Sequence, residues 1–164
     1  MKSKCRRLVP GSDKEKKAKA AFDELIRFGI VERVNPEDPN TWSSPLHFVD
    51  KGDNTFRVVG DYRSLNSKTV PDHYPLPHVR DYASKIAGSV IFSKVDLRKA
   101  FHLIAIDKRD RFKTCVTTPW GLFNFRRMSM GMANSAQSFQ RLVDSVLGDI
   151  PGTFTYLDDV LVYW

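Results

Sequence analysis

The sequence contains little cysteine and no long apolar run. Its two cysteines, Cys5 and Cys115, are far apart and form no CxxC pair, which argues against a disulfide framework or a zinc site and is typical of a reducing compartment. No apolar stretch approaches the roughly 20 residues that a membrane-spanning helix needs. Residues 1–7 are charged, which argues against a secretory signal. These absences predict an intracellular protein that does not use a membrane.

Positive charge is in excess, but it is unevenly distributed along the chain. The net charge of +7 and the pI near 9.5 suit a nucleic-acid partner. Residues 1–20, with eight Lys and Arg against two acids, supply +6 of it, and a basic terminus is more often solvated than a binding surface. Residues 94–127 carry nine cations against three aspartates. That density around Asp96 suits a polyanionic substrate, although exposed loops would account for about half of these cations.

The end of the chain predicts a tight β-hairpin with an acidic turn. β-Branched and aromatic residues in 154–156 and 160–163 flank Asp158 and Asp159, which is the pattern of two short strands around a turn. Two-residue hairpin turns favour Gly or Asn, so an Asp-Asp turn indicates that the carboxylates serve a ligand, and a divalent cation is the first candidate. A solvated acidic turn explains these two residues equally well.

A third carboxylate favours the metal. Asp96 ends a predicted strand within residues 89–101, and beside the acidic hairpin it would complete a cage of three carboxylates. Such a cage suits two Mg²⁺ ions roughly 3.5–4 Å apart, the arrangement that catalyses phosphoryl and nucleotidyl transfer.

Several motifs resemble those of a known family, the reverse transcriptase domain of gypsy-like LTR retrotransposons and, behind them, retroviral polymerases. Residues 156–159, Tyr-Leu-Asp-Asp, are similar to the Tyr-x-Asp-Asp box, and residues 92–97 are similar to the motif that carries the first metal-binding aspartate. Trp-Ser-Ser-Pro at 42–45 and Tyr-Pro-Leu-Pro at 74–77 are similar to two further boxes of the family. The resemblance runs from about Arg6 to the last residue.

The resemblance implies an RNA-directed DNA polymerase that transfers a nucleotidyl group from a dNTP to a primer 3′-hydroxyl by a two-metal mechanism. Asp96, Asp158 and Asp159 would be its catalytic residues and metal ligands, holding two Mg²⁺ ions for which Mn²⁺ can substitute. Its partners would be an RNA or DNA template with a primer, and dNTPs. Its location would be the cytoplasm, in a retrotransposon particle, or the nucleus.

By the same resemblance, residues 50–66 form the hairpin of the fingers. Lys51 and Arg57 would bind the triphosphate of the incoming nucleotide, Arg57 through its planar guanidinium and Lys51 as a point charge. Arg63 would brace the fingers or contact the template, and Tyr156 would contact nucleic acid. Without the resemblance, each of these cations is an ordinary solvent-facing side chain on a hairpin.

Five further positions are expected to contact the nucleotide. The backbone N–H groups of Lys99 and Ala100 would turn back toward the triphosphate. Phe101 would lie against C2′ of the sugar and exclude a 2′-hydroxyl, although a core aromatic beside a strand also explains this residue. Met130 stands where the family has a residue that lines the sugar, and Gly131 follows it.

The expected fold class is α+β, with the fingers and palm of a reverse transcriptase and helices packed on an antiparallel sheet. We expect a basic tail over 1–11 and a partial reverse transcriptase domain over 12–164, with fingers over roughly 12–90, palm over roughly 91–164, and residues near 107–128 returning to the fingers. The sequence stops five residues after Asp159, so the resemblance implies a domain truncated after the catalytic hairpin. The thumb, RNase H and integrase of a longer polyprotein would be missing partners.

Local patterns predict the helices. Residues 12–15, Ser-Asp-Lys-Glu, form a capping-box sequence at the start of an amphipathic helix. A later helix is expected to begin at the N-cap Asn134 with Gln137 at its third position. The residues that this helix is expected to bury are Phe139, Leu142, Val143, Val146 and Leu147.

Other segments are predicted as strands, over 102–106, 113–118 and 122–128. Gly60 stands where the family usually has a β-branched residue, which predicts looser packing in the fingers hairpin.

Two other functions fit parts of the sequence. A nucleotide cyclase, or another palm-type nucleotidyl transferase, would also use paired acids, but it would not need the boxes at 42–45 and 74–77; formation of a cyclic product from ATP or GTP alone would reveal it. An inactive retrotransposon remnant would bind primer–template in a salt-dependent way without incorporating nucleotides.

Overall fold

A computed structural model describes residues 8–35, 42–52 and 55–164. Most of the predicted basic tail, including Cys5, lies outside these ranges, as do the predicted turn residues Asp53 and Asn54. The elements, in chain order, are α1 Asp13–Arg27, β1 Val31–Arg33, β2 Ser44–Asp50, β3 Phe56–Gly60, α2 Arg63–Asn66, α3 Val79–Lys85, β4 Phe92–Asp96, β5 Val116–Thr118, β6 Gly121–Phe125, α4 Ser135–Leu147, β7 Thr153–Tyr156 and β8 Asp159–Tyr163. None of the helices in the described ranges is long and apolar enough to cross a membrane.

The chain divides into two compact units, each with its own sheet. Unit 1 comprises Met1–Thr69 and Ala105–Ala133, and unit 2 comprises Val70–Ile104 and Asn134–Trp164. Strands and helices occur in both, which agrees with the expected α+β class. These units divide the chain after Thr69, Ile104 and Ala133, whereas the sequence predicted that the fingers give way to the palm near residue 90. The assignment of fingers and palm stays a prediction.

Unit 1 contains a five-stranded sheet in the order β1-β6-β5-β2-β3. Its pairings are antiparallel except for β2 with β5, which is parallel. The predicted fingers hairpin is β2 with β3, whose register runs from Leu46 opposite Gly60 to Asp50 opposite Phe56. The side chains buried in the core of this unit are Phe22, Leu25, Ile30, Val31, Leu46, Tyr62, Val116, Phe123 and Phe125.

Helix α1 follows its sequence pattern closely. The Ser12 side chain accepts a hydrogen bond from the backbone N–H of Glu15 at 3.2 Å, which confirms the predicted cap. The Glu15 carboxylate accepts from the backbone N–H of Gly11 at 2.7 Å instead of closing the box at Ser12. The helix buries Ala18 and Phe22, so its apolar face supplies part of the core of unit 1.

The packing at Gly60 is tight, which contradicts the looser packing that the sequence predicted. A Cβ at this position would lie 2.4 Å from the ring of Tyr62. Tyr62 is 1% exposed, and its hydroxyl donates to the carbonyl oxygen of Thr114 at 3.2 Å. Because the aromatic ring fills the space that a β-branched side chain would take, glycine is required here by close approach.

Unit 2 contains a three-stranded antiparallel sheet in the order β4-β8-β7. Helix α4 packs against β7. Its buried apolar residues are Phe139 and Val143, whereas Leu142 and Val146 are exposed, contrary to expectation. Gln140 on the same helix is fully buried, although the sequence pattern did not predict its burial.

Two other local predictions differ from the structure, one in its secondary structure and one in its hydrogen bonds. Residues Ala100–Leu103 form a 3₁₀ turn, so the strand predicted over 102–106 is reduced to an isolated bridge between Ala105 and Arg127. Asn134 is the N-cap of α4, as predicted, but its side chain makes no capping hydrogen bond to the helix. Its amide donates to the carbonyl oxygen of Val70 at 2.9 Å, and its oxygen accepts from the backbone N–H of Asp72 at 3.1 Å. At Asn134 tertiary partners replaced the predicted local hydrogen bond, whereas over 100–103 a local 3₁₀ turn replaced the predicted strand.

Candidate active site

The three aspartates predicted to be catalytic lie at one end of the sheet in unit 2. Strand β4 pairs with β8 in a register that places Asp96 directly opposite Asp159. Directly opposite residues point to the same face of a sheet, so these two side chains share a face. The carbonyl oxygen of Asp158, which precedes β8, accepts a hydrogen bond from the backbone N–H of Leu97 at 2.9 Å. Long-range strand pairing therefore brings the backbones of all three aspartates together.

The hairpin that carries Asp158 and Asp159 has a strained loop. Because β7 ends at Tyr156 and β8 begins at Asp159, the two loop residues are Leu157 and Asp158. The loop is thus one residue earlier than the Asp-Asp turn that the sequence predicted. Leu157 has a φ of 52°, a left-handed conformation that costs a non-glycine residue about 1–2 kcal/mol. Something else in unit 2 must offset this cost.

Gln140 of α4 holds the strained loop in place. Its side-chain oxygen accepts a hydrogen bond from the backbone N–H of Leu157 at 2.9 Å. Its amide nitrogen lies 2.9 Å from Asp144 Oδ1 and 3.3 Å from the carbonyl oxygen of Thr155, both of which accept. A buried amide that is hydrogen-bonded at both ends fixes its neighbours firmly, because leaving either end unpaired would be costly. Gln140 is therefore a positioning residue for the acidic hairpin.

Sequence reasoning missed Gln140, although a signal was present. The residue lies between Phe139 and Val143 on the inward face of α4. A polar side chain within the apolar face of a helix is expected to have a specific partner. The partner lies 17 positions along the chain, so no local pattern identifies it.

Lys94 lies on the same face as the acids. It is two positions before Asp96 on β4, and residues two apart on a strand point to the same side. Its Nζ is 2.9 Å from Asp159 Oδ1. The hydrogen bond to Asp159 raises the pKa of Lys94, and the charges of Asp159, Asp96 and Asp158 act in the same direction. The side chains of Lys94 and Asp159 are 62% and 49% exposed, so solvent screens the pair.

The three carboxylates have the donor chemistry of a magnesium site, but their side chains are not gathered around one point. Within the described residues, no group of three or more His, Cys, Asp or Glu side chains is placed to hold a metal ion. The carboxylate of Asp159 is paired with Lys94. The donor set fits Mg²⁺ in chemistry and backbone placement, since carboxylate oxygens are its usual protein ligands.

The segment after Asp96 turns back as predicted. Lys99 adopts a φ of 57° and precedes the 3₁₀ turn, in which Ala100 is buried. The ring of Phe101 packs on that of Phe139, with 5.6 Å between ring centroids. Phe101 is only partly buried, so core packing and contact with a sugar are both compatible with its position. Lys99, Ala100 and Phe101 belong to unit 2, as the aspartates do.

The remaining residues expected at the nucleotide belong to unit 1. Lys51 follows β2 and Arg57 lies on β3, and both side chains are exposed. Met130 is half-buried, and Gly131 has a φ of 90°. The carbonyl oxygen of Gly131 accepts a hydrogen bond from the side-chain amide of Asn66 at 2.8 Å. Gly131 therefore has a left-handed backbone conformation, and its carbonyl group is held by the hydrogen bond from Asn66.

Arg63, predicted to brace the fingers or contact the template, is bound to a carboxylate in its own unit. Its Nε and one terminal nitrogen donate to Asp61 at 2.8 Å and 2.7 Å. The hydrogen bond from Arg63 lowers the pKa of Asp61 from 3.8 to about 2. The Arg63 side chain stays 89% exposed, so it remains largely open to solvent despite the pair.

Tyr156, predicted to contact nucleic acid, pairs with Asp159 across the hairpin. It lines a pocket of about 230 Å³ in unit 2. Lys94 and Asp159 also line this pocket, and Tyr82 and Phe154 add two more aromatic rings to its wall. The Lys94–Asp159 pair is therefore next to an aromatic cavity.

Comparison with known proteins identifies the family. Residues 49–164 match the family described as "Reverse transcriptase (RNA-dependent DNA polymerase)". The chain belongs to the reverse transcriptase family. Over 145 residues, or 87% of its length, this reverse transcriptase chain is 35% identical to the Transposon Tf2-3 polyprotein of Schizosaccharomyces pombe. Over 143 residues, or 85%, it is 34% identical to the Retrovirus-related Pol polyprotein from transposon 297 of Drosophila melanogaster. The expected resemblance to retrotransposon polyproteins is confirmed, and the chain spans 11% and 14% of these two relatives.

Solved structures confirm the reverse transcriptase fold. A foamy viral protease-reverse transcriptase in complex with double-stranded DNA has a TM-score of 0.83 at 23% identity, over 96% of this chain and 27% of that one. The native Prototype Foamy Virus Protease-Reverse Transcriptase has a TM-score of 0.79 at 26% identity, over 98% of this chain and 21% of that one.

Proposed function

We propose that this chain is the part of an RNA-directed DNA polymerase that binds the divalent ions and the incoming nucleotide, and that it transfers a nucleotidyl group from a dNTP to a primer 3′-hydroxyl. The observation that carries the proposal is the strand register. It sets Asp96 opposite Asp159 and ties Asp158 to Leu97, in a chain of the reverse transcriptase family.

Asp96 and Asp158, with help from Asp159, would hold two Mg²⁺ ions. An all-oxygen donor set favours Mg²⁺ over Zn²⁺, and Mn²⁺ can substitute for it. When bound, such ions supply positive charge that lowers the pKa of the primer 3′-hydroxyl and offsets the charge of the leaving pyrophosphate. The protein contributes a fixed backbone for its ligands, because Gln140 hydrogen-bonds the loop that carries Asp158.

Other residues would bind and orient the nucleotide. Lys51 and Arg57 are exposed cations of the fingers hairpin and would bind the triphosphate. The backbone N–H groups of Lys99 and Ala100 would donate to its oxygens. Phe101 would lie against C2′ of the sugar, and Met130 with Gly131 would line another side of the sugar.

Primer–template would be the macromolecular partner, contacted in part by Arg63 and Tyr156. Foamy viral protease-reverse transcriptases have been solved with double-stranded DNA and with an RNA/DNA hybrid, which supports this choice. The remaining segments of a polyprotein would be the protein partners, because the relatives are polyproteins of which this chain covers a small part. We place the activity in the cytoplasm, within a retrotransposon particle, or in the nucleus.

The proposal is tested in a chimera in which this chain replaces the matching segment of the transposon 297 polyprotein. Asp158→Asn should reduce Mg²⁺-dependent primer extension to background and leave primer–template binding unchanged, because the substitution removes a charged ligand and keeps the shape of the side chain. Asp149→Asn, an exposed acid of the same unit, is the matched control and should extend normally.

Extension by Asp158→Asn at near the unaltered rate would contradict the metal assignment. Salt-dependent binding by the unaltered chimera without any incorporation would favour a nucleic-acid-binding remnant. A cyclic product from ATP or GTP alone would favour a cyclase.

A further inference from the structure

Lys94 is a cation that faces the acidic end of the sheet in unit 2. Its Nζ is 2.9 Å from Asp159 Oδ1, and its charge interacts with those of Asp96 and Asp158 as well. Three carboxylates on adjacent strand ends repel one another, and a neighbouring ammonium group reduces that repulsion. Lys94 thus supplies in the protein itself some of the positive charge that a divalent ion would supply.

The pair is built so that it can separate. The side chains of Lys94 and Asp159 are both exposed to solvent. Separating them therefore leaves neither a buried charge nor a buried polar group without a partner. Lys94 also lines the pocket whose wall includes the rings of Tyr82, Phe154 and Tyr156. Aromatic faces attract an ammonium group, and the Nζ of Lys85 already lies 5.5 Å from the centroid of the Phe154 ring.

We propose that Lys94 is a positioning residue that holds the Asp159 carboxylate when no metal is bound and releases it when a divalent ion binds. This inference rests on the proposed function, because it requires that the three aspartates form a metal site. Lys94 then competes with the metal for Asp159. It lowers the affinity for the ion.

The test is the affinity of the 164-residue chain for Mn²⁺, measured from the electron paramagnetic resonance signal of the free ion. Lys94→Met should bind Mn²⁺ roughly 1.5- to 5-fold more tightly than the unaltered chain, the range that loss of an exposed ion pair allows. Lys94→Arg keeps the charge and should stay within about twofold of the unaltered chain. In an Asp159→Asn background, the gain from Lys94→Met should be smaller, because the carboxylate for which the two cations compete has gone.

Lys113→Met is the matched control. Lys113 pairs with Asp110 at 2.6 Å in unit 1, with side chains 50% and 52% exposed, much like the Lys94 pair. The substitution changes the net charge by the same amount and should leave the Mn²⁺ affinity unchanged. An equal gain in Lys113→Met would overturn the proposal, since it would show a general effect of net charge.

The failure of this proposal differs from the failure of the proposed function. If Mn²⁺ binds, Asp96→Asn abolishes binding, and Lys94→Met leaves the affinity unchanged or weakens it, the metal site stands and the role of Lys94 is refuted. If neither the unaltered chain nor Lys94→Met binds Mn²⁺, the metal site and the role of Lys94 both fail. Circular dichroism of each variant verifies that it is folded, and Lys94→Gln repeats the test with a polar side chain.

Discussion

At the scale of the residue, the partner of each carboxylate decides what that carboxylate can do. Asp61 receives two hydrogen bonds from the planar guanidinium of Arg63, and its pKa falls to about 2, so it stays ionised over any physiological pH. Asp159 is paired with the single ammonium group of Lys94, which solvent screens. A bidentate pair of the first kind suits a structural brace, whereas a monodentate exposed pair suits a ligand that must change partners.

Phe101 is the residue whose two interpretations differ most in their consequences. Its ring packs on Phe139, so truncation must cost some stability whichever interpretation holds. If the ring also lies against C2′ of the nucleotide, Phe101→Val in the chimera should relax discrimination against ribonucleotides by about 1–3 kcal/mol, the range for a contact based on shape. The measurement is the ratio of kcat/KM for a dNTP to kcat/KM for the matching rNTP.

Phe139→Leu provides the control for Phe101. It disturbs the same aromatic contact from the α4 side, so it should lower stability without changing the ratio. An unchanged ratio in Phe101→Val, together with a loss of stability like that of Phe139→Leu, would show that Phe101 is a core residue only.

At the scale of the element, the acidic hairpin depends on α4. The two-residue loop contains Leu157 in a left-handed conformation, which the hairpin alone would not favour. Gln140 hydrogen-bonds both the loop and the strand before it, through Leu157 and Thr155. The position of Asp158 is therefore a property of helix and hairpin together.

Replacement of Gln140 should loosen that hairpin. Gln140→Met keeps a similar volume but leaves the Leu157 N–H without its acceptor, so we expect the free energy of unfolding to fall by about 1–3 kcal/mol. Denaturant unfolding measures this loss, and amide hydrogen exchange at Leu157 should accelerate. In the chimera, primer extension should fall while primer–template binding persists.

Gln137→Met is a matched control on the same helix. The side-chain oxygen of Gln137 is buried and has no hydrogen-bond partner among the described residues. Its removal should therefore change stability by less than about 0.5 kcal/mol or increase it. If Gln140→Met proves equally harmless, the loop does not need its hydrogen bond.

At the scale of the whole molecule, the chain covers only a small part of the length of its relatives. It covers 11% of the Tf2-3 polyprotein and 27% of the foamy viral chain whose fold it shares. It contains the motifs proposed to bind metal and nucleotide, but a polymerase must also hold a duplex in register with them. We expect segments of the polyprotein relatives beyond this chain to perform that second task.

The isolated chain should consequently extend a primer poorly. We expect its rate to be lower than that of the chimera by about 10²-fold or more, the scale of loss when reacting groups are poorly positioned. A single-nucleotide incorporation assay with Mg²⁺ compares the two proteins at equal concentration. Processive synthesis by the 164-residue chain alone would contradict this expectation and show that it positions a duplex by itself.

Much of the fold follows from local pattern. The capped helix at Ser12, the strand that ends at Asp96 and the hairpin of β2 and β3 were all predicted, because periodicity, caps and turns act over a few residues. The position of the N-cap Asn134 was predicted, but its side chain bonds to distant partners, and the strand predicted over 102–106 gave way to a local 3₁₀ turn.

The sequence by itself determined the family, through its aspartates and the boxes around them, since the identity and spacing of these residues need no coordinates to be read. Only the tertiary structure decided how the candidate site is held. Gln140 meets Leu157, Lys94 meets Asp159, and the ring of Tyr62 meets Gly60 because strands and helices pack there. The physical reason is that hydrogen bonds, ion pairs and close contacts depend on distance in space, and chain folding sets that distance for residues far apart in the sequence.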